Sequence, residues 1–170
     1  NIYYNIFKVA LKNINADIDF SRNQINIKKA DADFNGAPLS LKGAIDTNAY
    51  ANLSMLADKI PLKAACVSLG QLALLNENDI KSGAVTLNGI IKGKLDKIKP
   101  QINVSLSDIN IYNKPNKLNA ILSNAKIEAQ TDGVKTDGIA TVNGLKLSIT
   151  GLPVFSIPSS KVSFDENNIN

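Results

Sequence analysis

Strict alternation of aliphatic and other residues, interrupted by one glycine, constrains this chain more than any other feature. It reads Leu39-x-Leu41-x-Gly43-x-Ile45, returns as Val85-x-Leu87-x-Gly89-x-Ile91, and recurs more loosely as Val142-x-Gly144-x-x-Leu147-x-Ile149. Period-two alternation places one apolar and one polar edge on each segment, which is the pattern of a half-buried strand. The first two copies begin at Gly36 and Gly83, 47 residues apart. A repeat of that length points to a one-dimensional array of hairpins rather than to a compact enzyme.

Longer segments reverse their parity midway. Phe7, Val9 and Leu11 give way to Ile14, Ala16, Ile18 and Phe20, with the switch at Lys12-Asn13. Ile25 and Ile27 give way to Ala30, Ala32 and Phe34; Ile102, Val104 and Leu106 to Ile109 and Ile111; Leu118, Ala120 and Leu122 to Ala125, Ile127 and Ala129. A one-residue slip sends side chains to the opposite face, so each switch predicts a β-bulge or a change of sheet. Strands that bend midway would fold the sheet over its own apolar face and form a trough.

Turn residues separate the strands at 21–23, 35–38, 46–48, 96–100, 113–117 and 131–133. Short polar connections between successive strands imply an antiparallel meander. Pro61 to about Leu75 departs from the pattern, because Leu62, Ala65, Cys66, Leu69, Leu72 and Ala73 recur at helical steps, with Pro61 suited to the first turn. The stripe of this one amphipathic helix must be buried on something, and an end of the sheet is the expected place. Val162 and Phe164 predict a last short strand, an edge because Pro158 precedes it. The fold class is therefore mainly β: an elongated, curved antiparallel sheet, a groove or half-barrel, with one short helix near 61–75. Residues 1–170 are read as one repeat-like β domain of a longer chain, with repeats starting near 36, 83 and 138.

Composition narrows the function. The apolar share is 44%, but aromatics supply only 5% and Trp is absent, so aliphatic side chains carry the burial. A thin aliphatic sheet fits this better than a thick core, which large rings usually dominate. The net charge of +4 does not point to nucleic acid: Arg22 is the only arginine and the lysines are scattered. Nucleic-acid readers favour Arg with stacking aromatics. There is no His, which excludes Ser–His and Cys–His nucleophiles and imidazole metal ligands; the single Cys66 excludes an internal disulfide. Gly83, Gly89 and Gly93 lie in strand-like sequence, not in a phosphate loop. Asp17 with Asp19, and Asp31 with Asp33, each alternate with an apolar residue, which makes them water-facing rather than a calcium site. No catalytic residue, metal site or cofactor is expected, and the chain is not expected to be an enzyme.

Three segments carry a resemblance: Gly36-Ala-Pro-Leu-Ser-Leu-Lys-Gly-Ala-Ile-Asp, Asn52-Leu-Ser-Met-Leu-Ala-Asp-Lys-Ile-Pro-Leu and Gly83-Ala-Val-Thr-Leu-Asn-Gly-Ile-Ile-Lys-Gly. With the run Lys97-Ile-Lys-Pro-Gln-Ile-Asn-Val-Ser-Leu-Ser-Asp-Ile-Asn-Ile, they resemble the AsmA-like superfamily of bacterial envelope proteins, across most of residues 7–150. The resemblance implies a groove-like antiparallel sheet in the periplasm, anchored at the inner membrane by a part of the parent protein outside these residues. It implies a role in lipid transport and outer-membrane biogenesis, with phospholipid or similar acyl chains as partners. The expected groove lining is Ile14, Ile18, Phe20, Leu39, Leu41, Ile45, Leu53, Met55, Val85, Leu87, Ile91, Val104, Leu106, Leu147 and Ile149. Exposed edge strands make self-association plausible. The alternative is a structural β-solenoid or adhesin-like array, whose apolar face is internal and takes no lipid.

Overall fold

The computed structural model describes residues 2–4, 9–34, 36–69, 76–131 and 135–165. Among these, ten strands form one sheet: β1 (Ile2–Tyr4), β2 (Val9–Phe20), β3 (Gln24–Phe34), β4 (Ala37–Asp46), β5 (Tyr50–Pro61), β6 (Ile80–Lys94), β7 (Lys97–Asn113), β8 (Leu118–Thr131), β9 (Thr136–Ile149) and β10 (Phe155–Phe164). Their order in the sheet is their order in the chain, every pairing is antiparallel, and β1 and β10 are the edges. The expected meander is thus the observed topology, and the sheet is not closed into a barrel. Parallel coils, which a solenoid would need, do not occur among the described residues.

The parity switches lie within one sheet: those in β2, β3 and β7 are bulges, whereas the one in β8 leaves its register with both neighbours unbroken. In β2 the register slips between Lys12 and Asn15, and Asn13 has a φ of 50°. In β3 it slips between Ile27 and Ala30. In β7 the switch is Asp108, with a φ of 52°; in β8 it falls at Ser123, which the register places beside Asp108 on one side and Gly144 on the other. A left-handed residue rotates the following side chain back to the original face, so Leu106 and Ile109 stay together despite three-residue spacing. Lys59 in β5, φ 50°, does the same for Ala57 and Ile60. That step of three is visible in the sequence beside the four switches read there.

Helix α1 (Leu62–Leu69) follows β5 directly. Pro61 is the last residue of β5 rather than the first of the helix, a correction to the expected boundary. Leu72 and Ala73 lie outside the described residues. A 3-10 turn at Glu77–Asp79 is capped by Asn76, whose side chain accepts the Asn78 N–H. Leu62 and Cys66 pack against Ile80 and Ile109 in one small buried cluster; Ala65 rests against a second, formed by Ala37, Ala57 and Ile60. A Cβ at Gly83 would stand 3.1 Å from both Leu62 and Ile109, so glycine permits the helix to approach this closely.

Two strand boundaries also differ from expectation. Pro100 lies inside β7, not in the preceding turn, which is only Leu95–Asp96. Its neighbour toward β8 is at the very end of that strand, where a missing N–H breaks little of the ladder. The last strand begins at Phe155, earlier than Val162, and carries Pro158 on the sheet's edge, where proline is tolerated.

A continuous apolar face

Cα partners on antiparallel strands project to the same side, so the register assigns faces residue by residue. One row runs across nine strands, from β2 to β10: Ala16, Ala30, Leu41, Met55, Gly89, Ile102, Ala129, Gly138 and Phe164. No polar side chain interrupts it. The neighbouring row, Ala32, Leu39, Ala57, Leu87, Val104, Ile127, Ala140 and Val162, is equally unbroken from β3 to β10. Alternation in each strand supplies the residues; the bulges keep them in phase.

The residues expected to line a groove fall on this face, with one exception. Leu41 and Met55 lie in the first row, and Leu39, Leu87 and Val104 in the second. Ile18 aligns through Ile27 and Gly43 with Leu53 and Ile91; Phe20 aligns through Ile25 with Ile45. Val85 pairs with Leu106, while Leu147 and Ile149 pair with Ala120 and Leu118 toward the far corner. Ile14 sits inside the β2 bulge, exposed and without a register partner. Ile27, Ala30, Ile102, Ile127 and Phe164, which the alternation picks out but the expected lining omits, share the face, as does Ile98. For Ile98 the signal was present too, since it has the parity of Val104.

None of the expected lining residues is buried. Ile18 is 40% exposed, Ile149 42% and Phe20 77%. Most of the buried apolar side chains lie instead under or beside α1, with Ala51 and Ala125 buried outside both clusters. The helix therefore covers one zone of the face, around the start of β6, and the described residues leave the rest half open. Within the open zone Met55 folds over Gly89, its Cε standing 3.4 Å from where a Cβ would be.

The opposite face is mainly polar, with Leu56, Ile90, Ile121 and Ile139 as its large aliphatic side chains. Asp19 pairs with Lys28 at 2.9 Å and Asp31 with Lys29 at 2.6 Å, and Asp33 accepts the Gly36 N–H at 2.7 Å. These acids are engaged as surface ion pairs and a turn cap, in the water-facing register. The Lys28 ammonium is raised above its ordinary pKa, chiefly by the hydrogen bond to Asp19. Asn143 donates to Asn124 and accepts from Ser159, each at 2.8 Å, forming an amide-hydroxyl ladder over β8 to β10. Shallow depressions lined by Lys28, Lys42, Ser54 and Asn88, and by Gln101, Asn103, Glu128 and Asp137, also lie on this side. No group of three metal-ligating side chains occurs among the described residues. Cys66 is buried in the helix–sheet cluster, and burial pushes its thiol up, with Glu77 adding to the push.

Comparison with known protein families, with curated proteins and with solved structures finds no match for this chain.

Proposed function

We propose that the apolar face binds the acyl chains of lipids, and that this chain is a non-catalytic, groove-forming segment of an AsmA-like protein of the bacterial envelope. The observation that carries the reading is the unbroken apolar row from Ala16 to Phe164, on a face the described residues cover only in part. At about 25 cal/mol per Å², each hundred Å² of that surface left in water forfeits roughly 2.5 kcal/mol. A large uncovered apolar surface of this kind usually marks a binding site.

An extended acyl chain matches the shape of the row. Nine strands at roughly 4.8 Å spacing extend about 38 Å, longer than one acyl tail. Alanine keeps the row low at β2, β3 and β8, while Met55 and Phe164 lie over the glycines at β6 and β9. Bulges in mid-strand support bent strands that raise the flanking side chains into walls. Burial alone would hold the tail, without direction, so lipids could slide along the rows and head groups would be weakly selected. The periplasm is the proposed location, with membrane anchoring supplied by the parent protein.

The test is mass spectrometry of an organic extract of the purified chain, with a fluorescent fatty-acid probe titrated into delipidated protein. Stoichiometric lipid in the extract and saturable probe binding are expected. Protein that extracts no lipid and takes no probe would end the proposal.

A further inference from the structure

One end of the sheet carries a rim that, Phe20 apart, the acyl-chain reading does not use. Three successive hairpin tips, between β2 and β3, β4 and β5, and β6 and β7, lie side by side there. Backbone hydrogen bonds join them into a continuous line: Thr47 N–H donates to the Asn23 carbonyl at 3.0 Å, and Leu95 N–H to the Ala49 carbonyl at 2.9 Å. Each tip presents a large apolar side chain to water. Phe20 is 77% exposed, Tyr50 46% and Leu95 51%. These side chains pack into neither buried cluster.

Basic residues are interleaved with them. Arg22 is exposed in the first tip, and Lys92, Lys94, Lys97 and Lys99 flank the third. The register sets Lys92 directly opposite Lys99 and Lys94 directly opposite Lys97. Like charges facing each other across a ladder destabilise an isolated sheet. The neighbouring partners on β5 are Asn52 and Tyr50, which neutralise neither pair. The nearby acids are mostly committed: Asp46 accepts the N–H groups of Asn48 and Tyr50 at 2.8 and 2.9 Å, and Asp19 is paired with Lys28. Asp96 is the one acid within the β6–β7 hairpin tip against four lysines, and Asp137 shares a depression with Lys99.

We propose that this rim docks on the surface of an anionic lipid bilayer, with Phe20, Tyr50 and Leu95 entering the interfacial layer while Arg22, Lys94 and Lys97 meet lipid phosphates. Alternating apolar and basic side chains in a line suit a planar interface that is greasy below and negative at its surface. A phosphate layer would also relieve the two opposed lysine pairs. A folded protein partner would need a complementary acidic surface instead, and the rim is narrow for that: six strands at about 4.8 Å spacing give roughly 24 Å. The proposal goes beyond the acyl-chain reading and stands without it.

The experiment is flotation of the full chain with phosphatidylcholine vesicles, with and without phosphatidylglycerol. Binding is expected only with the anionic lipid and is expected to fall as salt rises. Each basic side chain near such a surface multiplies binding about fivefold, so Lys94→Gln with Lys97→Gln should lower it roughly 25-fold. Leu95→Asp should also release the protein. Lys114→Gln with Lys117→Gln, at the opposite end, should leave binding unchanged, and the circular dichroism spectrum of every variant should match the parent's. Equal binding to neutral vesicles, no binding to either, or equal losses from both lysine pairs would overturn the proposal. So would retention by a soluble anionic polymer or an acidic protein but not by vesicles. Leu41→Asp should keep vesicle docking while losing the acyl probe, so failure of either idea is visible separately.

Discussion

Leu41→Asp is the most incisive perturbation of the acyl-binding face. Leu41 lies in the central apolar row between Ala30 and Met55 and is only half buried, outside both core clusters. Its replacement should therefore cost the fold only about 1 kcal/mol, roughly half the value for full burial of a leucine. Ligand binding should suffer more. A tail running across the strands passes roughly four methylenes per 4.8 Å strand spacing. Turning that stretch over to a carboxylate and its water removes about 0.8 kcal/mol per methylene, or about 3 kcal/mol. That is roughly a hundredfold in affinity. The assay is titration of a fluorescent fatty acid, with a thermal melt to verify folding. Asn88→Asp is the control: it adds the same charge on the polar face, in the residue next to Leu87. Two results would refute the reasoning: unchanged binding by folded Leu41→Asp, or equal weakening by Asn88→Asp.

Further outcomes concern the scaffold. Gly43 has a φ of +136° and faces the Asn52 carbonyl where a Cβ would stand, so Gly43→Ala should cost about 2 kcal/mol or more in urea unfolding. Gly36→Ala, with φ +88° and open space around it, should cost about 1 kcal/mol, and the opposite ranking would count against the close approach. Lys59→Gly should stabilise the protein by roughly 0.5–1 kcal/mol, because it relieves a left-handed conformation at the β5 bulge. Ile109→Ala should destabilise by about 2–4 kcal/mol and loosen α1, measurable as faster amide exchange in the helix. Cys66 should react slowly with alkylating reagents in mildly alkaline buffer and at full rate in denaturant. Its folded pKa lies above the unfolded one, so its contribution to stability is complete below the ordinary thiol value and is lost as the pH rises from there through the raised folded value.

How much could be read beforehand follows from which physical effects are local. Alternation at Leu39, Leu41 and Ile45 specifies a half-buried strand wherever that strand lies, because successive side chains point to opposite sides. The same locality made the switches legible: Leu106 to Ile109 and Leu122 to Ala125 are steps of three that no regular strand allows if both ends stay apolar-side. Antiparallel order followed from short turns, which cannot connect parallel neighbours. Glycine was less transparent. Gly43 and Gly89 occupy matching places in the repeated pattern, yet Gly43 has a positive φ beside the Asn52 carbonyl, whereas Gly89 accommodates the Met55 side chain. Which neighbour presses on a glycine depends on the strand that pairs with it.

The tertiary structure alone decided where the helix rests, how far the apolar face stays open and which tips share a rim. The helical periodicity of residues 62–69 announces a stripe to be buried, but its seat over Ile80 and Ile109 depends on strands β6 and β7 lying together. Arg22, Tyr50 and Leu95 are scattered in sequence and meet at one end only because strand lengths and registers bring their hairpins level. Side-chain direction is a property of one strand's backbone, and the chain carries it residue by residue. Coverage and adjacency depend on contacts between distant segments, and those exist only once the sheet is assembled.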